Sequence, residues 1–548
     1  MSDRRKYALS LHAILSNYRN IVVLLGAMLI GAVWSLLAGQ DANWDLLNYH
    51  YYNPFALLNG RLRFDIAPAQ LQTYFNPLLD VIPYLLIQWY KPWVFGVVMG
   101  AWHGLNFWLV FRIALHLFER NPVGRPVVWA LVCAIIGSFS PVTIFEIGTT
   151  LHDLTVGVFV LGSILTLLIG LDVLERGNKR KALLMLNAAG LLIGLAVGLK
   201  LTTAIYVVGF AVACAFTPHL YRSAKAGMLF FALGALAGLL LTGGYWAATL
   251  WTEFGNPMFP MMNGLFKSPY VEAINLADTR FMPKTLVEWL FFPFMFTLER
   301  HAGLELPFRD VRFALFMTML VVAAAIWGYR SLISVSGARS RPRMAPPHWS
   351  ARWLIIYIVF SYLAWLWIFS IYRYMTSLES LIPTAVLLLL SWLVQGDTRR
   401  LTYIAVSCFV SIIVFVRAPD FGRIEWQDRF FGVKPPLLPF PDRTLVLIVS
   451  MEPLSFVIPS FPREVRFIRL ESNLYGPAKN TKLTEEIRTT LALHRGDAFV
   501  LTSISQTKAA VDLLQGYGRD GSIDPLGCEL IPNRMRSDLV LCPVVFKS

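Results

Sequence analysis

Apolar residues run almost unbroken for about 17 to 23 positions at a time along most of this chain. The runs fall at roughly 21–39, 93–115, 127–144, 153–172, 182–199, 201–217, 227–248, 311–328, 353–371, 378–395 and 401–416. A helix needs about 20 apolar residues to cross a hydrocarbon core, so the pattern predicts eleven transmembrane helices. Two further stretches, 76–90 and 286–297, are short, aromatic and proline-bearing, which fits interfacial or re-entrant segments. The first run follows Arg4, Arg5, Lys6 and Arg19 with no small-residue cleavage pattern, and reads as a retained helix.

Past residue 418 the pattern changes. β-type runs occur at Arg443–Ser450, Val465–Leu470, Ala498–Thr502 and Asp538–Phe546, and helical periodicity at Thr484–His494 and Thr507–Gln515. The expected fold is an all-α polytopic membrane domain over 1–417, followed by a small α/β domain over 418–548. The proline-rich KPPLLPFP segment at 434–441 reads as a stiff approach to it.

Composition agrees with the pattern: 548 residues, 56% hydrophobic and 15% charged, against about a quarter charged in soluble proteins. The net charge of +14 would in a soluble chain point to an anionic partner. Here it follows topology. With the N-terminus cytoplasmic, the connections at 112–125, 173–181, 218–226, 329–352 and 396–400 should be inside and basic. Together with the N-terminal segment and the bordering Asp172 they hold 20 Lys and Arg, Arg339, Arg341 and Arg343 among them, against five acidic residues. The remainder of the chain is nearly neutral, so the charge gives no evidence of a nucleic-acid partner. Eleven crossings place the tail outside the cytoplasm, where Cys528 and Cys542 could form a disulfide.

Ionisable groups in a membrane region are functional candidates, and here they gather on the external side. The first external loop holds Asp41, Asp45, His50, Arg61, Arg63, Asp65 and Asp80; the second holds Glu146, His152 and Asp153. Lys200 ends the fifth span, the third loop carries Glu305, Arg309, Asp310 and Arg312, and Arg373 with Tyr374 marks the ninth span's outer end. Some of these have plain structural readings. Asp41, Asp45 and Asp153 could cap helices, Lys200 and Arg373 could anchor helix ends at headgroups, and no His/Cys/Asp set shows zinc spacing.

The first-loop aspartate, Leu151-His152-Asp153-Leu154, the GLAVGLKLT segment ending at Thr202, GNPMFP at 255–260 and YRY at 372–374 together resemble GT-C-type integral-membrane glycosyltransferases. The likeness is to bacterial relatives of protein O-mannosyltransferases and aminoarabinose transferases, over about residues 20–416. It implies an inner-membrane enzyme that moves a sugar from a polyprenyl-phosphate donor to an extracytoplasmic glycan, lipid or protein acceptor. By position Asp45 would be the base, with Asp41 as rival, in an inverting displacement. Lys200 and Arg373 would bind the donor phosphate, and His50, Arg61, His152, Asp153, Asn256 and Tyr374 would bind substrate or support the site. The family commonly places two adjacent acidic residues in the first loop, whereas Asp41 and Asp45 are four apart, which weakens the case for a divalent metal. The competing expectation is a transporter or lipid flippase, for which polar groups at the bilayer midplane would be expected.

Overall fold

The structure, a computed structural model, describes residues 3–298, 301–335, 347–394, 397–420 and 422–546. Arg339, Arg341 and Arg343 of the expected basic loop lie outside the described residues.

Each of the eleven apolar runs corresponds to a helix. In chain order they are α1 (Asp3–Ala38), α2 (Pro92–Phe118), α3 (Pro126–Ser138), α4 (Asp153–Glu175), α5 (Lys179–Leu199), α6 (Ala204–Ala215), α7 (Pro218–Leu239), α8 (Arg312–Val335), α9 (Trp349–Ile368), α10 (Thr376–Val394) and α11 (Thr398–Phe415). Among the described residues nine helices are long and apolar enough to cross a membrane; α3, and α6 with the turn before it, are shorter. This is a multi-pass membrane protein, with nine long spans where the pattern predicts eleven. Proline opens α2, α3 and α7, where its missing N–H is no loss. The side chains of Asn178 and Asp397 cap α5 and α11.

The two short stretches are helical. Residues 77–89 form a 3-10 turn followed by the helix Val81–Trp89, and Leu286–Met295 is a short helix with Leu286, Val287, Leu290 and Phe291 exposed along one side. α5 and α7 pack backbone to backbone: a Cβ at Gly190 or Gly194 would collide with the carbonyls of Phe231 and Ala235.

In the tail, strands β1 (Leu445–Ile448), β2 (Arg466–Arg469), β3 (Ala498–Ser503), β4 (Gly521–Ile523), β5 (Glu529–Leu530) and β6 (Leu539–Phe546) accompany helices α12 (Lys482–Leu493) and α13 (Thr507–Gly516). The sheet order is β2-β1-β3-β6-β4, with β5 on β6. β1 pairs in parallel with β2 and β3, and β6 runs antiparallel to β3. The sheet's two faces have different partners. Leu445, Leu447 and Val449 pack with Leu483, Ile487 and Leu491 of α12 and Leu514 of α13. Val446, Ile448, Phe467 and Leu501 pack instead with Leu46, Leu47, Tyr51, Tyr52 and Phe55 of the first loop, between α1 and α2. That loop thus supplies the second layer that an amphipathic sheet requires. Its Ile66 also bridges to Ile468 at the edge of β2.

Candidate functional site

The loop between α1 and α2 is fixed locally before it presents any chemistry. Asn43 Oδ1 accepts the Leu46 N–H at 2.9 Å, and a π-helical turn over Leu46–His50 follows directly on Asp45. Asp45 Oδ2 lies 2.9 Å from Arg373 Nη1, with the two side chains 14% and 17% exposed. Arg373 sits in the 3-10 turn Tyr372–Met375 that leads into α10. Asp41 is placed differently. It is 1% exposed; Oδ1 accepts from Asn43 N and Nδ2 at 3.1 and 2.6 Å, and Oδ2 accepts from Thr150 N and Oγ1 at 2.9 Å each. Four hydrogen bonds commit it to joining the α1–α2 loop to the α3–α4 loop.

Lys200 follows the end of α5. Its ammonium donates to Asp153 Oδ1 at 2.6 Å and to the Leu151 carbonyl at 2.8 Å. Lys200 Nζ and the Arg373 guanidinium lie 5.6 and 5.4 Å from the centre of the Tyr374 ring. Two cations, each paired with a carboxylate, therefore converge on one aromatic ring, where cation–π attraction helps hold them.

Behind them lies a buried polar group. His152 has φ +68°, a left-handed conformation unusual for a residue with a side chain, and its Nε2 is 2.7 Å from Asp80 Oδ1. His50 Nδ1 lies 2.6 Å from the same oxygen, but off the direction a hydrogen bond needs, so both His50 ring nitrogens are buried without a hydrogen-bond partner. Burial holds His50 well below the usual histidine range, and the charges of Lys200 and Arg373 lower it further. Burial does the same to His152, with His50 and Lys200 adding to it, and pushes the Asp80 carboxyl up against the opposing pull of Lys200. The three ligand atoms lie within 4.8 Å of one another, and they are the set among the described residues that could hold a divalent cation. Glu146 completes the region: fully buried, it accepts the Leu154 N–H at 3.1 Å. Burial raises its carboxyl, and the neighbouring Asp153 carboxylate raises it further.

Two candidates lie elsewhere. Arg61 is 3% exposed; it pairs with Asp65 at 2.7 Å and donates to the carbonyls of Arg463 and Val465. It fastens the first loop to the C-terminal domain. Asn256 is buried within its own turn, where Oδ1 accepts from Met258 N and Nδ2 donates to the Met261 carbonyl. Cys528 and Cys542 form a disulfide within the tail. Asp80 and Glu146 were not singled out by sequence. Both were visible only as external acidic residues, because nothing local marks a contact with a residue 72 positions away.

No protein-family model matches the sequence, and no curated protein sequence matches it. Similar solved structures include the Archaeoglobus fulgidus oligosaccharyltransferase in its apo form, with TM-score 0.47 and 13% identity over 95% of this chain and 75% of that one. The archaeal oligosaccharyltransferase AglB from the same organism, in complex with an inhibitory peptide and a dolichol-phosphate, has TM-score 0.47 and 12% identity over 95% and 74%. ArnT from Cupriavidus metallidurans bound to undecaprenyl phosphate has TM-score 0.46 and 12% identity over 95% and 97%. At such identities, with TM-scores under 0.5, these likenesses leave the reaction of this chain to be read from its own residues.

Proposed function

We propose that this protein is a membrane glycosyltransferase that transfers a sugar from a polyprenyl-phosphate donor to an acceptor on the extracytoplasmic side of a bacterial inner membrane. The observation that supports this reading is the convergence of the Asp45–Arg373 pair and Lys200 on the Tyr374 ring. Such transfer needs a base for the acceptor and cations for the departing phosphate, and these residues meet both needs.

The acceptor hydroxyl attacks the anomeric carbon and gives its proton to Asp45, whose carboxylate is partly open where that of Asp41 is enclosed. The bond from the anomeric carbon to the phosphate oxygen breaks, the electron pair leaves with the polyprenyl phosphate, and the configuration inverts. Arg373 gives Asp45 one of its nitrogens, and the planar guanidinium has further N–H groups to offer a phosphate. Lys200, held by Asp153, adds a second cation where negative charge develops. The aromatic Tyr374 provides a face on which a sugar can pack.

The test is transfer in vesicles that contain the full chain and a radiolabelled polyprenyl-phosphate sugar. Asp45→Asn should abolish covalent transfer at normal expression; full activity would remove Asp45 from the mechanism. Movement of the labelled lipid between leaflets without covalent transfer would favour a flippase.

A further inference from the structure

A second ionic group lies deep in the membrane domain and touches neither Asp45 nor Lys200. Asp310, Arg312, Tyr372 and Glu379 are each 0% exposed. Arg312 Nη1 lies 2.8 Å from Asp310 Oδ2 and 3.6 Å from Glu379 Oε1, and Arg312 Nη2 donates to the carbonyls of Ile136 and Phe139 at the end of α3. Tyr372 Oη stands between the carboxyls, 2.5 Å from Asp310 and 3.0 Å from Glu379. One cluster thereby ties together the end of α3, the start of α8, the turn before α10 and α10 itself.

Fully buried ions are a poor way to gain stability, because their desolvation offsets their attraction and well-packed apolar residues would serve as well. Within a membrane protein such groups are rare unless they do something specific. The sequence neighbour of Tyr372 indicates what that is. Tyr372 immediately precedes Arg373 in the same 3-10 turn, and its ring is wedged among Phe296, Phe308 and Phe313, with centroids 4.9, 4.4 and 6.0 Å away. Its backbone N–H is taken by the Gly303 carbonyl at 2.7 Å. The turn is therefore clamped at Tyr372, one residue before the guanidinium that meets Asp45.

We propose that Asp310, Arg312, Tyr372 and Glu379 form a positioning network that sets the height and direction of Arg373, and so the phosphate-binding geometry of the site. This rests on the function proposed above. The polar contacts of Tyr372 make the network specific. A phenol has one hydrogen to give, and Tyr372 faces two carboxyl oxygens, so the second contact is a hydrogen bond only when one of the two carboxyls supplies a hydrogen. A glutamine at 379 supplies it from its amide, whereas alanine does not. Replacing Tyr372 by phenylalanine keeps the ring in its aromatic niche and leaves Arg312 as the group that faces both carboxyls.

The test is binding of a sugar-free polyprenyl monophosphate to the full chain in nanodiscs, with the thermal midpoint of each variant measured alongside. Arg373→Ala serves as the control for the phosphate site and should lose binding. Tyr372→Phe, assayed below its own thermal midpoint, should bind about tenfold more weakly in the folded protein. Glu379→Ala should weaken binding similarly, while Glu379→Gln should bind nearly as the unmodified chain does. A merely structural network would lower the midpoints and leave affinity in the folded protein unchanged. Unchanged affinity in Tyr372→Phe overturns the proposal, and this variant decides the matter if Glu379→Ala does not fold. Equal binding by the unmodified chain and Arg373→Ala overturns the phosphate site itself, and the role of the network with it.

Discussion

At the scale of single residues, two aspartates of one loop are separated by what surrounds them. Asp45 has one ion-pair partner and is partly open; Asp41 is enclosed by four hydrogen bonds. The two substitutions should therefore fail in different ways. Asp45→Asn should reduce turnover by at least about 10²–10⁴-fold, the scale of general-base catalysis, without loss of folded protein. Asp41→Ala leaves the N–H groups of Asn43 and Thr150 unmatched and should destabilise the chain by about 2–4 kcal/mol, read as a lower thermal midpoint in detergent. Lys200→Met should raise the donor KM about ten- to hundredfold, the range expected for a hydrogen bond to a charged group. Both aspartates were identifiable in sequence as candidates. The choice between them was not, because it depends on Thr150, 109 residues away from Asp41.

At the scale of elements, the short helices α3 and α6 carry a topological burden. The basic connections before α3, between α4 and α5, and before α7 should share one side of the membrane. α4 runs between opposite faces, so the segment over α3 must cross as well, and the same reasoning requires α6 to cross after α5. Cysteines placed at Gly124, Gly177 and Ala226 should all be shielded from an impermeant thiol reagent applied outside and labelled after permeabilisation. External labelling at Gly177 alone would mean that α3 and α6 do not cross. The eleven helices were legible because apolar runs are a one-dimensional signal. The lengths of α3 and α6 were not, since their flanking turns are also apolar. In the tail, the four longer strands and both helices followed their periodicities. β4 and β5, of three and two residues, are too short to have a period.

At the scale of the whole molecule, the membrane domain and the tail are joined through a common core. The tail sheet is covered on one face by the loop between α1 and α2, and Arg61, paired with Asp65, reaches the Val465 carbonyl at 2.6 Å. Asp65 in turn accepts the Phe467 N–H at 2.8 Å. Arg61→Ala would strand the Asp65 carboxylate in a buried site, at a cost of about 3–5 kcal/mol, and should expose residues 57–75 to limited proteolysis. Protection equal to that of the unmodified chain would show that the apolar contacts alone hold the loop. Sequence could show that the tail is an α/β unit, but not that its missing layer comes from the other end of the chain.

That shared core sets an order of events during synthesis. Arg61 and Val465 are 404 residues apart, and at roughly 5–20 residues per second the ribosome needs about 20 to 80 s to travel between them. Throughout that interval the loop bearing Asp45 lacks the sheet that covers it. The nascent protein thus passes through a late, incomplete stage in which nearly all of its spans exist while the loop bearing Asp45 awaits its support. The transfer activity proposed above should consequently arise only after the last strands have folded.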